Sequence, residues 1–290
     1  MSAIAAVLRC HGEPIRDGEI ERLIDAMKAR GPDGVTVWSD GSVALACAKL
    51  HGTPESLAEQ QPLAAVDGRF RMIWDGRLDN RDELRHELSL HHVQPRDDTD
   101  PELVLQTYLL HGERTPERLL GDFAFAIWDA QQQRLFCARD HIGARPFYYV
   151  LNDHFFALAS EDEALLTLEG MSAVPNEDRL IYALVPSFDA FDWKRSWLKD
   201  VQILMPGTRM SVDCSRRVRR DVYWRMSIPD SDPPARSFES YQSEFAQVFS
   251  QAVADRMRSH APIAAMMSGG MDSASVCAMA TRLTRARGAS

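Results

Sequence analysis

Along the first half of the chain, apolar residues alternate with polar or small ones over short stretches, each closed by a turn signal. Val35-Thr36-Val37-Trp38 and Val43-Ala44-Leu45 flank Ser39-Asp40-Gly41-Ser42, and Asp-Gly between two β-forming runs predicts a tight hairpin. Phe123, Phe125 and Ile127 alternate with Ala124 and Ala126, and Leu135 and Cys137 follow a polar turn. Residues 147–150 and 155–158 flank Asn152-Asp153 in the same way. Strands in this number predict a sizeable sheet with a buried face. Three helical patterns interrupt them. Asp17 is expected to cap a helix with Ile20, Leu23, Ile24 and Met27 on one face, stopped by Gly31-Pro32. Asn80 opens a second, with Leu84 and Leu88 inward. The third starts at Thr99 or Asp100, carries Pro101 and Glu102 in its first turn, and stops at Gly112. Antiparallel strands with helices packed on them predict a layered α+β domain up to about residue 185.

From residue 175 to 221 the pattern is weaker, although Met205-Pro206-Gly207-Thr208 reads as a turn between two short strands. Residues 229–234, Pro-Asp-Ser-Asp-Pro-Pro, have the composition of a linker. They divide the chain into a first domain over 1–228 and a second region over 236–290. The second region opens with Tyr241, Phe245, Val248, Phe249, Ala252 and Val253 at helical spacing. Residues 263–267 then read as a buried strand, Ser268-Gly269-Gly270-Met271-Asp272-Ser273 as a glycine loop, and 274–287 as a helix.

Strand, glycine turn and helix form an anion-binding arrangement, because a helix N-terminus presents unpaired N–H groups and glycine lets a phosphate approach the backbone. Ser268 and Ser273 add hydroxyl donors, and Asp272 is suited to a Mg²⁺ bridging phosphates. A turn needed for packing alone would require glycine but neither Asp272 nor both serines. The loop lacks the Lys of a Walker A motif. A pyrophosphate group with Mg²⁺ is therefore the expected ligand of Ser268, Gly269, Gly270, Asp272 and Ser273.

Composition narrows the remaining classes. A formal charge of −9, with short and scattered Arg runs at 216–220 and 282–287, speaks against a nucleic-acid partner. Cys10, Cys47, Cys137, Cys214 and Cys277 show no CxxC spacing, which fits free thiols in a reducing cytosol. No secretory leader and no apolar run of the ~20 residues a membrane span needs is visible, so a cytoplasmic protein is expected. The His91-His92 pair has no metal spacing, and Trp193 and Trp197 are expected to pack in the core.

The loop resembles the SGGxDS signature of the ATP pyrophosphatase superfamily, and the first half resembles the class II glutamine amidotransferase domain. Arg30-Gly31-Pro32-Asp33 matches RGPD, and Gln60-Gln61-Pro62-Leu63 matches AQQPL after its first residue. Residues 119–128 resemble LxGxFAFAxxD. Arg139-Asp140 with Gly143 and Pro146-Phe147-Tyr148-Tyr149 matches RDxxGxxPLYY, and Ala159-Ser160-Glu161 with Ala164-Leu165 matches ASExKAL. In this order the motifs are similar to those of the asparagine synthetase family, which includes β-lactam synthetase and lasso-peptide cyclases.

The resemblance implies an Ntn-hydrolase-like αββα first domain and the start of a Rossmann-like α/β ATP-pyrophosphatase domain. It also implies the chemistry: a substrate carboxylate attacks the α-phosphate of Mg·ATP, pyrophosphate leaves, and an amine takes the activated acyl group. The acyl substrate would be a small-molecule or peptide carboxylate. Because a nucleotide-binding α/β domain needs on the order of 100 residues or more, the chain reads as truncated. A homodimer, or a partner chain completing the synthetase domain, is the expected assembly.

Four positions bear on glutamine hydrolysis. The family's nucleophile is an N-terminal Cys that uses its own α-amine as base, and Ser2 stands there. Cys10 lies past the first strand and would require that strand's removal. The NGE oxyanion segment reads Asp75-Gly76-Arg77, a carboxylate where an Asn donor belongs. The Arg that clamps the glutamine carboxylate appears as Lys49, which gives up bidentate geometry. Asp100 matches the Asp that binds the glutamine amine, although a helix-cap role would suffice to explain it. These departures imply a glutaminase that no longer turns over and a cyclase-like ligase. The alternatives are a glutamine-hydrolysing asparagine synthetase and a non-catalytic remnant. Arg139 and Asp140 are expected to pair with each other near the sheet, and His141 to be structural.

Overall fold

The computed structural model describes residues 1–185, 194–228, 236–286 and 288. The linker candidate at 229–234, Trp193 and Arg287 lie outside the described residues. The chain divides into two compact units, one of Met1–His51 with Glu55–Arg225 and one of Gly52–Pro54 with Met226–Ser290.

The first unit is built on two six-stranded sheets. One runs in the order β10 (Gln202–Ile203), β8 (Tyr148–Leu151), β9 (Phe155–Ala159), β1 (Ala3–Arg9), β3 (Val43–Ala48), β2 (Val35–Asp40). The other runs β12 (Val218–Val222), β11 (Thr208–Asp213), β7 (Arg134–Arg139), β6 (Gly121–Asp129), β5 (Phe70–Leu78), β4 (Leu63–Ala64). Their inner faces share one core, with Ile4, Leu8, Leu45 and Cys47 from the first sheet against Ile73, Ala124, Ala126 and Cys137 from the second. The outer face of the first sheet packs under α1 (Glu19–Asp25), with Ile20, Leu23 and Ile24 on Ala5 and Ala46. The outer face of the second packs under α2 (Arg81–Leu90) and α3 (Asp100–His111), through Leu84, Leu88, Leu103 and Tyr108. The result is the expected αββα layering.

β6 shows why the strand pattern was readable. Both its faces are buried, so its alternation is one of size: Ala124 and Ala126 face the other sheet, while Phe123, Phe125 and Ile127 face the helices. Other expectations are corrected. Asp17 does not cap α1; Gly18, at φ 68, precedes it without a side-chain cap. Glu19 there turns inward, and its carboxylate takes the Arg9 guanidinium in an ion pair whose side chains are each 1% exposed. For α3 the cap is Thr99, whose Oγ1 accepts from Glu102 N at 3.4 Å. The layers also run past residue 185, to Val222. The edge strand β12 is rich in exposed Arg, which hid its alternation, and the turn at 205–208 joins strands of opposite sheets. Trp197 is 48% exposed beneath Arg179, so it is not core.

Among the described residues, a short helix, α4 (Glu177–Leu184), is the last α-helix of the first unit. The second unit holds two longer ones, α5 (Phe238–Arg256) and α6 (Met271–Ala286). Ser237 caps α5, its Oγ accepting from Ser240 N at 3.2 Å. Residues 263–267 do not form the expected buried strand: Ile263, Met266 and Met267 are exposed. A parallel strand is stabilised by ladders on its flanks, and no described strand pairs with this segment.

Candidate functional site

The inner faces of the two sheets meet a rim where β1 begins, β3 ends and β5 passes through Asp75. Alternation continues the inward face of β1 from Ile4 back to Ser2, that of β3 from Cys47 to Lys49, and that of β5 from Ile73 to Asp75. Ser2 Oγ accepts from Leu50 N at 3.0 Å, and Ser2 O accepts from Arg30 Nε at 3.4 Å. The Arg30-Gly31-Pro32-Asp33 turn clamps this corner. A Cβ on Gly31 would lie 2.2 Å from the Ala48 carbonyl, which excludes any other residue. Asp33 N donates to Lys49 O at 2.9 Å, and Asp33 Oδ2 accepts from His51 N at 2.7 Å. Lys49 runs beside Gly34, and its ammonium makes no hydrogen bond or ion pair among the described residues.

Asp75 is 2% exposed. Its Oδ1 lies 3.5 Å from Arg145 Nη1, and its Oδ2 is buried without a hydrogen-bond partner. Burial pushes this carboxyl above its ordinary value, while Arg145, Arg30 and the chain's amino group pull the other way. Arg145 Nε and Arg30 Nη2 are also buried without partners. Burial lowers the basicity of the Met1 amine, against the attraction of Asp75. Gly76 is required, since a Cβ would meet Asp122 O and the Trp74 ring at 2.6 Å.

Glu59 joins this rim. Burial, then the charges of Asp100 and Asp75, raise its carboxyl to about 8, against the Gln61 hydrogen bond and Lys49. Gln61 is itself fixed on β5: Oε1 accepts from Trp74 N at 2.7 Å, and Nε2 donates to Trp74 O at 3.0 Å and Glu59 Oε2 at 3.2 Å. Asp100 is engaged elsewhere, with Arg81 and with Leu78 N at 2.9 Å. Ser2, Lys49, Asp75 and Gly76 thus share one rim, with Asp100 behind it and no longer explained as a cap.

Sequence reasoning missed Glu59, Arg30 and Arg145 as members of this rim. Glu59 carried a signal, because it stands where AQQPL has Ala. Arg145 occupies a variable position of RDxxGxxP and carried none. The expected pairing of Arg139 with Asp140 is replaced by a more useful arrangement. Arg139 donates to the carbonyls of Gly143 and Leu204 at 2.7 Å and Arg145 at 2.6 Å. Asp140, fully buried, accepts from the N–H groups of Phe123, Ile142, Ala144 and Arg145 at 2.9–3.2 Å. A turn with this many orphan backbone groups needs both a donor fork and an acceptor pair: Arg139 serves three carbonyls and Asp140 four N–H groups. His141 packs edge-on against Phe123, Tyr223 and Trp224 and serves structure.

The glycine loop lies exposed before α6. At Gly269, with φ +82, no atom lies within 4 Å of the place a Cβ would take, so the backbone is open to an incoming group. The Ser268 and Ser273 hydroxyls meet at 3.1 Å, and Ser268 N donates to Ser273 Oγ at 3.2 Å. Asp272 stands in the first turn of α6. Open glycine backbone, two hydroxyls and the N–H groups of a sixteen-residue helix suit a polyphosphate. Among the described residues no group of three His, Cys, Asp or Glu side chains gathers for a metal ion.

An N-terminal strand opening onto the rim between two antiparallel sheets, with helices outside, defines the layered class of N-terminal-nucleophile amidotransferases. Comparison agrees. The glutamine amidotransferase domain family matches residues 1–224, and the asparagine synthase family matches residues 244–289. The chain belongs to the asparagine synthetase family, with a class II glutamine amidotransferase domain at its N-terminus. It is 29% identical over 267 residues to asparagine synthetase [glutamine-hydrolyzing] 3 of Bacillus subtilis, spanning 90% of this chain and 42% of that protein. It is 27% identical over 276 residues to the amidase chyE of Penicillium rubens, 92% of this chain and 39% of that one. A putative asparagine synthetase [glutamine-hydrolyzing] 2 of Methanocaldococcus jannaschii is 27% identical, over 98% of this chain and 58% of its own. The chain therefore spans about two to three fifths of the length of these relatives. Among solved structures, the glutamine phosphoribosylpyrophosphate amidotransferase of B. subtilis aligns at a TM-score of 0.55 and 14% identity, over 97% of this chain and 64% of that one, a likeness of fold. No helix among the described residues is long and apolar enough to cross a membrane.

Proposed function

We propose that the chain is the amidotransferase-like and nucleotide-loop part of an ATP-dependent amide ligase whose amine does not come from glutamine. The observation that carries this reading is Asp75, a buried carboxylate drawn toward Arg145 at the oxyanion position. An oxyanion developing beside it meets repulsion in place of a donor, and one lost donor alone costs about 3–4 kcal/mol of transition-state stabilisation. Ser2 compounds the effect, since a hydroxyl is a weaker nucleophile than a thiol.

The Ser268–Ser273 segment would hold the ATP polyphosphate through open backbone N–H groups and hydroxyls, with Asp272 as the carboxylate for Mg²⁺. ATP would supply the activation of a small-molecule or peptide carboxylate. Exposed apolar residues of the second unit, Phe245 at 69% and Met266 at 95% among them, favour a covering layer from further strands, in the same chain or a partner. A cyclase-like member, in which the substrate's own amine closes a ring, fits a pocket that delivers no ammonia.

Glutamine hydrolysis is the second reading, favoured by the position of Ser2 at the rim, its Oγ accepting from Leu50 N at 3.0 Å, where removal of Met1 would bare its own α-amine as general base. Glutamate formation from glutamine by the purified chain decides between them. No turnover above background is expected, and the double variant Ser2→Cys, Asp75→Asn should gain some. Turnover by the unaltered chain overturns the proposal.

A further inference from the structure

β1 ends at Arg9 in one sheet and β11 ends at Asp213 in the other, and the residue after each is a cysteine. Backbone hydrogen bonds hold Cys10 and Cys214 side by side. His11 N donates to Cys214 O at 3.0 Å, Cys10 N to His154 O at 2.9 Å, and Cys214 N to Gln133 O at 3.2 Å. The first of these joins the peptide that follows Cys10 to the carbonyl of Cys214 itself. Standard peptide dimensions then leave about 4–6.5 Å between the two Cα atoms. A disulfide spans roughly 4.4–6.8 Å.

Side-chain direction agrees with that distance. Cys10 N continues the ladder of β1 with β9, so the inward face that carries Ile4, Ala6 and Leu8 extends to Cys10. Cys214 packs against the same core from the second sheet. Cys10 is 2% exposed, whereas Cys214 is half-buried, its Sγ 3.9 Å from the Ser42 hydroxyl. Cys47 and Cys137 are wholly buried and closed to solutes, and Cys277 belongs to the second unit.

We propose that Cys10 and Cys214 form a peroxide-responsive modification site, whose oxidation ties the two sheets together at the end of β1 away from Ser2. The half-buried Cys214 reacts first. Its thiolate attacks one oxygen of hydrogen peroxide, the O–O bond breaks, and the departing hydroxide takes up the thiol's proton as water. Cys214 is then a sulfenic acid. The Cys10 sulfur attacks that sulfur, an S–S bond forms, and the sulfenic hydroxyl leaves with the Cys10 proton as a second water. Two thiols are oxidised, one peroxide is reduced, and no other reagent is consumed. Burial raises both thiols above their ordinary value, so few are ionised at neutral pH and the pair responds to abundant peroxide, not to traces. The crosslink closes most of the first unit into one covalent loop, which disfavours the unfolded chain.

The full chain is treated with hydrogen peroxide, its remaining thiols are alkylated, and it is digested with trypsin without reduction. Peptides 10–16 and 210–216 should appear joined, two hydrogens lighter than their sum, and should separate on adding dithiothreitol. The oxidised chain should melt at least about 4 °C higher than the reduced one, and Cys10→Ser or Cys214→Ser should abolish that rise. The peptide map is made on the unaltered chain, so it stands even if a variant misfolds. Cys214 left as a thiol, found only as sulfinic acid, or joined to Cys214 of a second chain, overturns the proposal. A joined pair with an unchanged melting temperature overturns the tie between the sheets.

Discussion

Ser2 and Ser268 each stand at the mouth of a chemistry-bearing site, in opposite circumstances. Around Ser2 the scaffold is finished: two sheets and their helices bury both faces of β1, β3 and β6, and Gly31 is pressed onto Ala48. What differs there from the family's motifs is a set of side chains, Asp75, Lys49 and Glu59. Around Ser268 the loop keeps every residue of its motif, while Ile263, Met266, Met271 and Phe245 lie exposed. A motif can be complete where the residues around it are exposed, and a scaffold can be packed where the residues of its motif are altered. Sequence motifs and packed scaffolds therefore report on different properties and need separate tests.

The sharpest contrast is in tolerance to substitution. Glu19→Ala strands the Arg9 guanidinium in the core and should cost about 3–5 kcal/mol in urea unfolding of the first unit. Should the cost fall below about 1 kcal/mol, the two units differ less in packing than their burial says. A smaller effect is the pH profile set by Glu59. Its ordinary value is 4.5 and burial raises it to about 8 in the fold, so the folded state holds the proton through that window. Stability should fall as pH rises between those limits and level off above them. Glu59→Gln should flatten that slope, measured as urea midpoints across the range, and an unchanged slope would assign it to another group. Thr99→Ala removes the α3 cap and should cost about 1 kcal/mol. At the bottom of the scale, Phe245→Ser in α5 should change stability by no more than about 0.5 kcal/mol, while reducing self-association in sedimentation. A large loss there would mean the exposed face is already covered in solution.

Much of the first unit was legible because its signals are local. The Asp40-Gly41 turn, the Phe/Ala alternation of β6 and the Gly112 stop each sit within a few residues of the element they define. The Arg9–Glu19 pair could not be read, since Glu19 looked like an ordinary first-turn acid and its partner lies across a layer. Arg139 and Asp140 misled for a related reason: adjacent opposite charges suggest a pair, yet each is consumed by backbone groups that become orphaned only once the chain crosses between sheets. Residues 263–267 have strand composition, but a parallel strand is completed by neighbours that no composition supplies. At the rim, Ser2, Lys49 and Asp75 emerged from motif alignment, whereas Arg145 needed coordinates.

The guanidinium of Arg139 ties two of the crossings between sheets, the one after β7 and the one before β11, by holding Gly143, Arg145 and Leu204 together. Arg145 is thus a passenger on a knot that the whole sandwich depends on. Because Arg139 grips the carbonyl of residue 145 and not its side chain, a substitution at 145 changes what points into the rim without moving the backbone that presents it. Substitutions that retune the rim therefore act through the side chains of Asp75 and Arg145, while the turn that presents Arg145 stays fixed.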